Sequence, residues 1–221
     1  MLFGDGSDAA KRAVESIVPR SFENFNWTFI FILAVVFYIY WHEIKAKNYK
    51  GLIAGISLYS VHWFYEIMNA CICAGTGYPL WAVSNESSSF VLLVGVSWEL
   101  SMMFSIAGII AFKMLPDDLE GRNRRFLARG RFKGFSLKFI GAIGMALMFS
   151  VIEIFLAATP AFIWVYKWWG AIPVFITTYI PFFIASNYVP DAPKKFQKWF
   201  LGGLVCINVL LLVILVPLGI I

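Results

Sequence analysis

Six long apolar runs follow one another along this chain, separated by short polar or charged stretches. They cover residues 27–41, 51–73, 88–112, 137–157, 161–186 and 200–221. A helix needs about 20 apolar residues to cross a bilayer. The pattern therefore predicts an all-α fold, a polytopic membrane helix bundle of about six transmembrane helices. It occupies residues 27–221, behind an N-terminal segment at 1–26. The fifth run is broken by Pro160, Lys167, Gly170, Pro173 and Pro181. It reads either as one kinked helix or as an interfacial segment at 161–169 followed by a span from Gly170, since a membrane helix tolerates proline where neighbours satisfy the freed backbone. In the N-terminal segment, Ser7 is placed to cap a short helix through about Val18, stopped by Pro19. That helix could lie on the membrane surface or fray. Residues 1–25 lack the long apolar core of a cleavable signal peptide.

Charge orients the runs. The loops at 43–50, 113–138 and 187–199 hold 14 of the 18 Lys and Arg residues, and six spans place all three on one side. The basic side of a membrane protein faces the cytoplasm, so both termini are expected outside. Only 14% of the residues are charged against 60% apolar, whereas a soluble domain carries about a quarter charged. The protein is thus expected in the cell membrane or the endoplasmic reticulum membrane. The net charge of +5 is a topology signal that also suits membrane lipids, and no nucleic-acid partner is implied. Cys71, Cys73 and Cys206 read as packing residues.

Some polar residues stand inside the apolar runs. Glu66, Glu99 and Glu153 fall in runs two, three and four. A carboxylate in hydrocarbon is costly, so it normally faces the bundle interior and finds a partner. By depth, all three lie between the midplane and the outer surface, where they could share one cavity. In run two, Tyr59, His62, Glu66, Asn69 and Cys73 recur at spacings of three and four, which lines one helix face. His62 and Glu66, four apart, could hold one proton between them. Trp63 and Trp98 would wall the cavity. Tyr179, beside Thr177 and Thr178, could supply a hydroxyl. Trp168 and Trp169 flank Lys167 and read as an interfacial belt, or as a cap over the cavity that pairs Lys167 with Glu153 or Glu99. His42 and Glu43 are read as surface residues. Polar side chains also bind membrane helices together without doing chemistry.

No HExxH, GxSxG or Walker loop occurs, and two histidines are too few for a di-iron site. No lysine stands mid-span to carry retinal. No metal or cofactor is expected. His62-x-x-x-Glu66 in the second run, followed by Glu99 in the third, resembles the arrangement in emopamil-binding-type sterol isomerases. The chain departs from that family by one span more and a shorter outer loop. The resemblance implies proton transfer by a His and two Glu residues. From the residues themselves, a cavity of carboxylates and aromatic faces suits acid/base chemistry, of isomerase or cyclase type, on a lipid-soluble isoprenoid or sterol-like small molecule. Catalytic roles then fall to Glu66, Glu99, His62 and Glu153, and substrate contacts to Tyr59, Trp63, Asn69, Trp98, Trp168, Trp169 and Tyr179. The alternatives are a small proton-coupled transporter and a non-catalytic membrane subunit. The oligomeric state is left open.

Overall fold

A computed structural model describes every residue except Met1, Asn24, Ala128 and residues 130–132. Arg131 of the long basic loop therefore lies outside the described residues. The chain opens on α1 (Asp8–Glu15), capped by the Ser7 hydroxyl as its spacing predicts, and continues through α2 (Phe29–Lys45) and α3 (Tyr49–Thr76). Three short strands follow, β1 (Trp81–Val83), β2 (Val91–Leu93) and β3 (Val96–Ser97). Next come α4 (Trp98–Lys113), α5 (Leu119–Asn123), β4 (Arg125–Phe126), β5 (Phe135–Ser136) and α6 (Leu137–Leu156). The last part holds β6 (Phe162–Trp164), α7 (Ala171–Val174), a π-helical turn at Phe175–Tyr179, α8 (Ile180–Tyr188) and α9 (Lys194–Leu215). Among the described residues, three stretches are long and apolar enough to cross a membrane: Leu137–Leu156, Ala171–Asp191 and Lys194–Leu215.

Two boundaries differ from the sequence reading. Residues 88–97 were expected to open a helix; instead β2 and β3 form a hairpin, and α4 starts at Trp98 with Ser97 as its cap. A short apolar run cannot be assigned to helix or strand by periodicity alone, and Val91, Val94 and Val96 are β-branched. The shift moves Glu99 from mid-helix to the first turn. The fifth run takes the second of its two readings, because β6 pairs with β1 and the helix begins after Gly170. The fold is thus mostly helical, as expected, with a small strand cap. The cap also holds the N-terminus: Phe3 bridges Gly170, and the Gly4 amide donates to the Trp169 carbonyl at 2.7 Å.

Helix α3 is the hub of the bundle, packed against α4, α8 and α9, while α6 packs on α8 and α2 on α4. The α3–α4 crossing is close because both helices offer a glycine there. A Cβ on Gly108 would stand 2.5 Å from the Ala54 carbonyl oxygen, and one on Gly55 2.6 Å from Ile109. Small residues at such crossings let membrane helices gain contact without a hydrophobic driving force. Gly108→Ala is expected to destabilise the protein by about 1–3 kcal/mol through forced separation. Thermal unfolding in detergent checks this, and an unchanged midpoint would contradict so close a crossing.

Outward faces are apolar. Phe31 and Phe37 on α2, and Leu210, Val213 and Ile214 on α9, are exposed, as lipid-facing residues are. At the end of the bundle opposite β1 and β6, Glu43 is buried rather than on the surface. It pairs with Lys113 and accepts from the Asn48 amide at 2.5 Å. Burying a carboxylate is costly unless it is paired and hydrogen-bonded, and here Lys113 and Asn48 do both.

Candidate functional site

The site begins on α3, where the i, i+4 spacing brings His62 Nε2 to 3.4 Å from Glu66 Oε1. One turn on, Asn69 is fully buried and spends its amide on the loop. Its Nδ2 donates to the Trp81 carbonyl at 2.8 Å, and its Oδ1 accepts from the Leu80 amide at 2.8 Å. These bonds fix the start of β1, and with it the Trp81 indole. Trp81 Nε1 lies 3.3 Å from each Glu66 oxygen and donates to the carboxylate between them.

The β1–β6 register then builds the second half. Trp81 stands directly opposite Trp164, as near as two side chains on neighbouring strands come. The Trp164 indole donates to Glu153 Oε1 of α6 at 2.8 Å. The buried Tyr179 lines the same cavity as Glu153. Two adjacent tryptophans thus hold two carboxylates that come from different helices.

Tyr179 reaches the site because of the π-helical turn. Pro181 has no N–H to give to the Thr177 carbonyl, one turn earlier. That carbonyl accepts instead from the Tyr65 hydroxyl of α3 at 2.7 Å. The wider turn leaves Thr178 and Tyr179 buried together above Phe182. Such insertions in helices are frequent at functional sites.

His62, Glu66, Glu153, Thr178 and Tyr179 line one cavity, walled by aromatic rings that include Phe104 and Phe182. The His62 ring stacks on Phe104 with centroids 4.2 Å apart. Its two nitrogens, and the Thr178 hydroxyl, are buried without a hydrogen-bond partner. The cavity encloses about 80 Å³, room for a few waters and well below the roughly 300–1,000 Å³ of an ordinary ligand pocket. Its side wall is the seam between α4 and α6, formed by Leu100, Met103, Ile152 and Leu156. Met103 and Ile152 are also exposed on the outer face, so the cavity gives onto the apolar surface of the bundle. Over Glu66 lies Gly95 of the β2–β3 turn, whose missing Cβ would stand within 2.6 Å of Glu66, Trp81 and Asn69.

Other residues singled out from the sequence lie elsewhere. Glu99, in the first turn of α4, accepts from the Ser89 amide at 2.6 Å and from the Ser89 hydroxyl, and does not line the cavity. Tyr59 stacks on His62 and bonds the Ser101 hydroxyl at 2.8 Å. Trp63 meets the outer edges of Tyr59 and His62. Trp98 packs edge-on against Phe29 near the start of α2. Trp169 is buried and stacks on Trp81, its ring centroid 5.8 Å away, whereas Trp168 is exposed. Lys167 lies along Gly6, and Trp164 takes the place expected for it beside Glu153. The sequence reading missed Trp81 and Trp164 as carboxylate donors. The only signal was the presence of indoles in otherwise turn-like outer segments, which reads equally as an interfacial belt.

Residues 7–217 match the model of a family described as "Uncharacterized membrane protein family". A protein of Archaeoglobus fulgidus, described as "Uncharacterized protein", is 32% identical over 201 residues, covering 89% of this chain and 91% of that one. No solved structure matches the chain.

Proposed function

Because the chain belongs to this uncharacterized membrane protein family and is an integral, multi-pass membrane protein, we propose that it is an intramembrane acid/base enzyme for a lipid-soluble, isoprenoid or sterol-like substrate. The bundle crosses the bilayer six times, with the basic loops in the cytoplasm and the strand cap outside. One observation carries the reading: two carboxylates from separate helices and an imidazole without hydrogen-bond partners face one small aromatic cavity beside the lipid-facing seam. Glu153, hydrogen-bonded by the neutral Trp164 indole, delivers a proton to a carbon–carbon double bond. Phe104 and Phe182 present their faces to the resulting carbocation. Glu66, seated against His62, removes a proton from a neighbouring carbon and restores a double bond. The net change is an isomerisation, with one proton in and one out and no co-reactant. The small volume means that only the reacting segment enters, while the rest of the molecule stays in the α4–α6 seam and the bilayer.

The test uses the purified protein in lipid nanodiscs, incubated in D₂O with a panel of polyisoprenoid and sterol lipids. Deuterium carried on carbon in the recovered lipid is measured by mass spectrometry. The wild type is expected to label one lipid class, and Glu66→Gln to label it at least about 100-fold more slowly. Equal labelling by the wild type, the variant and empty nanodiscs would overturn the reading.

A further inference from the structure

At the basic end of the bundle, one carboxylate gathers three cations from three separate segments. Asp191, just past α8, takes a two-pronged contact from Arg122, with Nε and Nη2 each at 2.8 Å. Lys138 Nζ lies 2.8 Å from the same carboxylate, and Lys50 Nζ 2.7 Å from it. Three cations against one anion leave two positive charges in excess. Arg122 and Lys138 are only 2% and 4% exposed, so this excess is built into the fold. The remaining Arg122 nitrogen is spent on the carbonyls of Pro116 and Asp117. Both Asp191 oxygens are likewise taken. The donors left over belong to Lys138 and Lys50, since an ammonium carries three N–H groups and Asp191 takes one from each.

Lys138 also lines a groove of about 700 Å³ that runs from this cluster along the outside of the bundle. Asp191, its charge already met by the three cations, and Tyr188 stand beside Lys138 in the wall; the rest is apolar and includes Val61 and Tyr65 of α3, Ile184 of α8, and Phe196 and Phe200 of α9. Exposed Lys194, Lys195 and Trp199 flank its mouth on the first turns of α9. A buried ammonium at the head of a long apolar groove, at the depth where basic and aromatic residues mark an interface, is complementary to an amphiphile with an anionic head. We propose that this groove holds a phospholipid whose headgroup carries a net negative charge. Its phosphate is taken by Lys138 and Lys50, and one chain lies along Tyr65, Ile184 and Phe200. The site is separate from the carboxylate cavity and does not depend on the chemistry assigned there.

The experiment is native mass spectrometry of the full chain, released from mixed micelles holding equal amounts of phosphatidylglycerol and phosphatidylcholine with identical acyl chains. The expected spectrum keeps one phosphatidylglycerol adduct, favoured over phosphatidylcholine by roughly five-fold for each cation the phosphate engages. Lys138→Gln is expected to lower that ratio about five-fold, leaving the share that Lys50 supplies. Because that change also strips a partner from Asp191, Ile184→Trp serves as a second variant, filling the groove while leaving every lysine in place. It is expected to lose the adduct. A wild type without headgroup preference, or an Ile184→Trp protein that keeps it, would overturn the proposal and assign the attraction to the surface lysines of α9.

Discussion

Glu153→Gln is expected to slow deuterium transfer to lipid by two to four orders of magnitude, the usual worth of a positioned general acid, while Glu99→Gln leaves it within a few-fold of wild type. The two residues looked equivalent along the chain. Glu153 faces the cavity, hydrogen-bonded by the Trp164 indole. Glu99 instead holds Ser89 at the start of α4, a task that an amide oxygen performs nearly as well. The measurement is single-turnover labelling in D₂O, with thermal unfolding run alongside to show that both variants fold. Glu99→Gln losing as much as Glu153→Gln would reassign the chemistry to the other end of the hairpin.

Asp191→Ala is expected to cost about 3–5 kcal/mol, the penalty for leaving buried charge without its partner. Arg122 and Lys138 cannot turn to water once the carboxylate is gone, because both are enclosed. Lys50→Ala is the matched control. Its ammonium is half exposed, and an exposed pair contributes only about 0–1 kcal/mol. Equilibrium unfolding of both variants in mixed micelles separates the cases. Equal losses would mean that Asp191 is replaceable, and that the three cations are stabilised by something other than their shared anion.

The helices could be read from the chain because each needs a long apolar run and the runs are separated by charge. Even so, α3 was best identified by its polar face. His62 and Glu66 share that face as their spacing predicts, and Asn69 continues it, but Asn69 serves the loop backbone. The strand cap was not legible. Val91 to Val96 is as apolar as a buried helix, and assigning it to one displaced Glu99 by half a helix. That reading added Glu99 to the cavity that Glu66 and Glu153 line. The donors on the two carboxylates escaped notice for a different reason. Trp81 and Trp164 become neighbours only through a strand pairing that joins two loops distant in sequence, and nothing local in either loop marks the other. The acidic member of the basic end, Asp191, was likewise hidden in a loop whose lysines are explained by topology alone.

The pairing of β1 with β6 also bears on how the molecule is made. Everything between those strands, including α4 and α6, must be threaded and folded before they can meet, and contacts between remote parts of a chain form late because closing a long loop is entropically slow. Until then the two indole–carboxylate pairs, Trp81 with Glu66 and Trp164 with Glu153, are separate halves of the site. A chain halted before α6 is complete therefore carries only one carboxylate with its indole, and an unfinished copy differs from a finished one by the missing second acid.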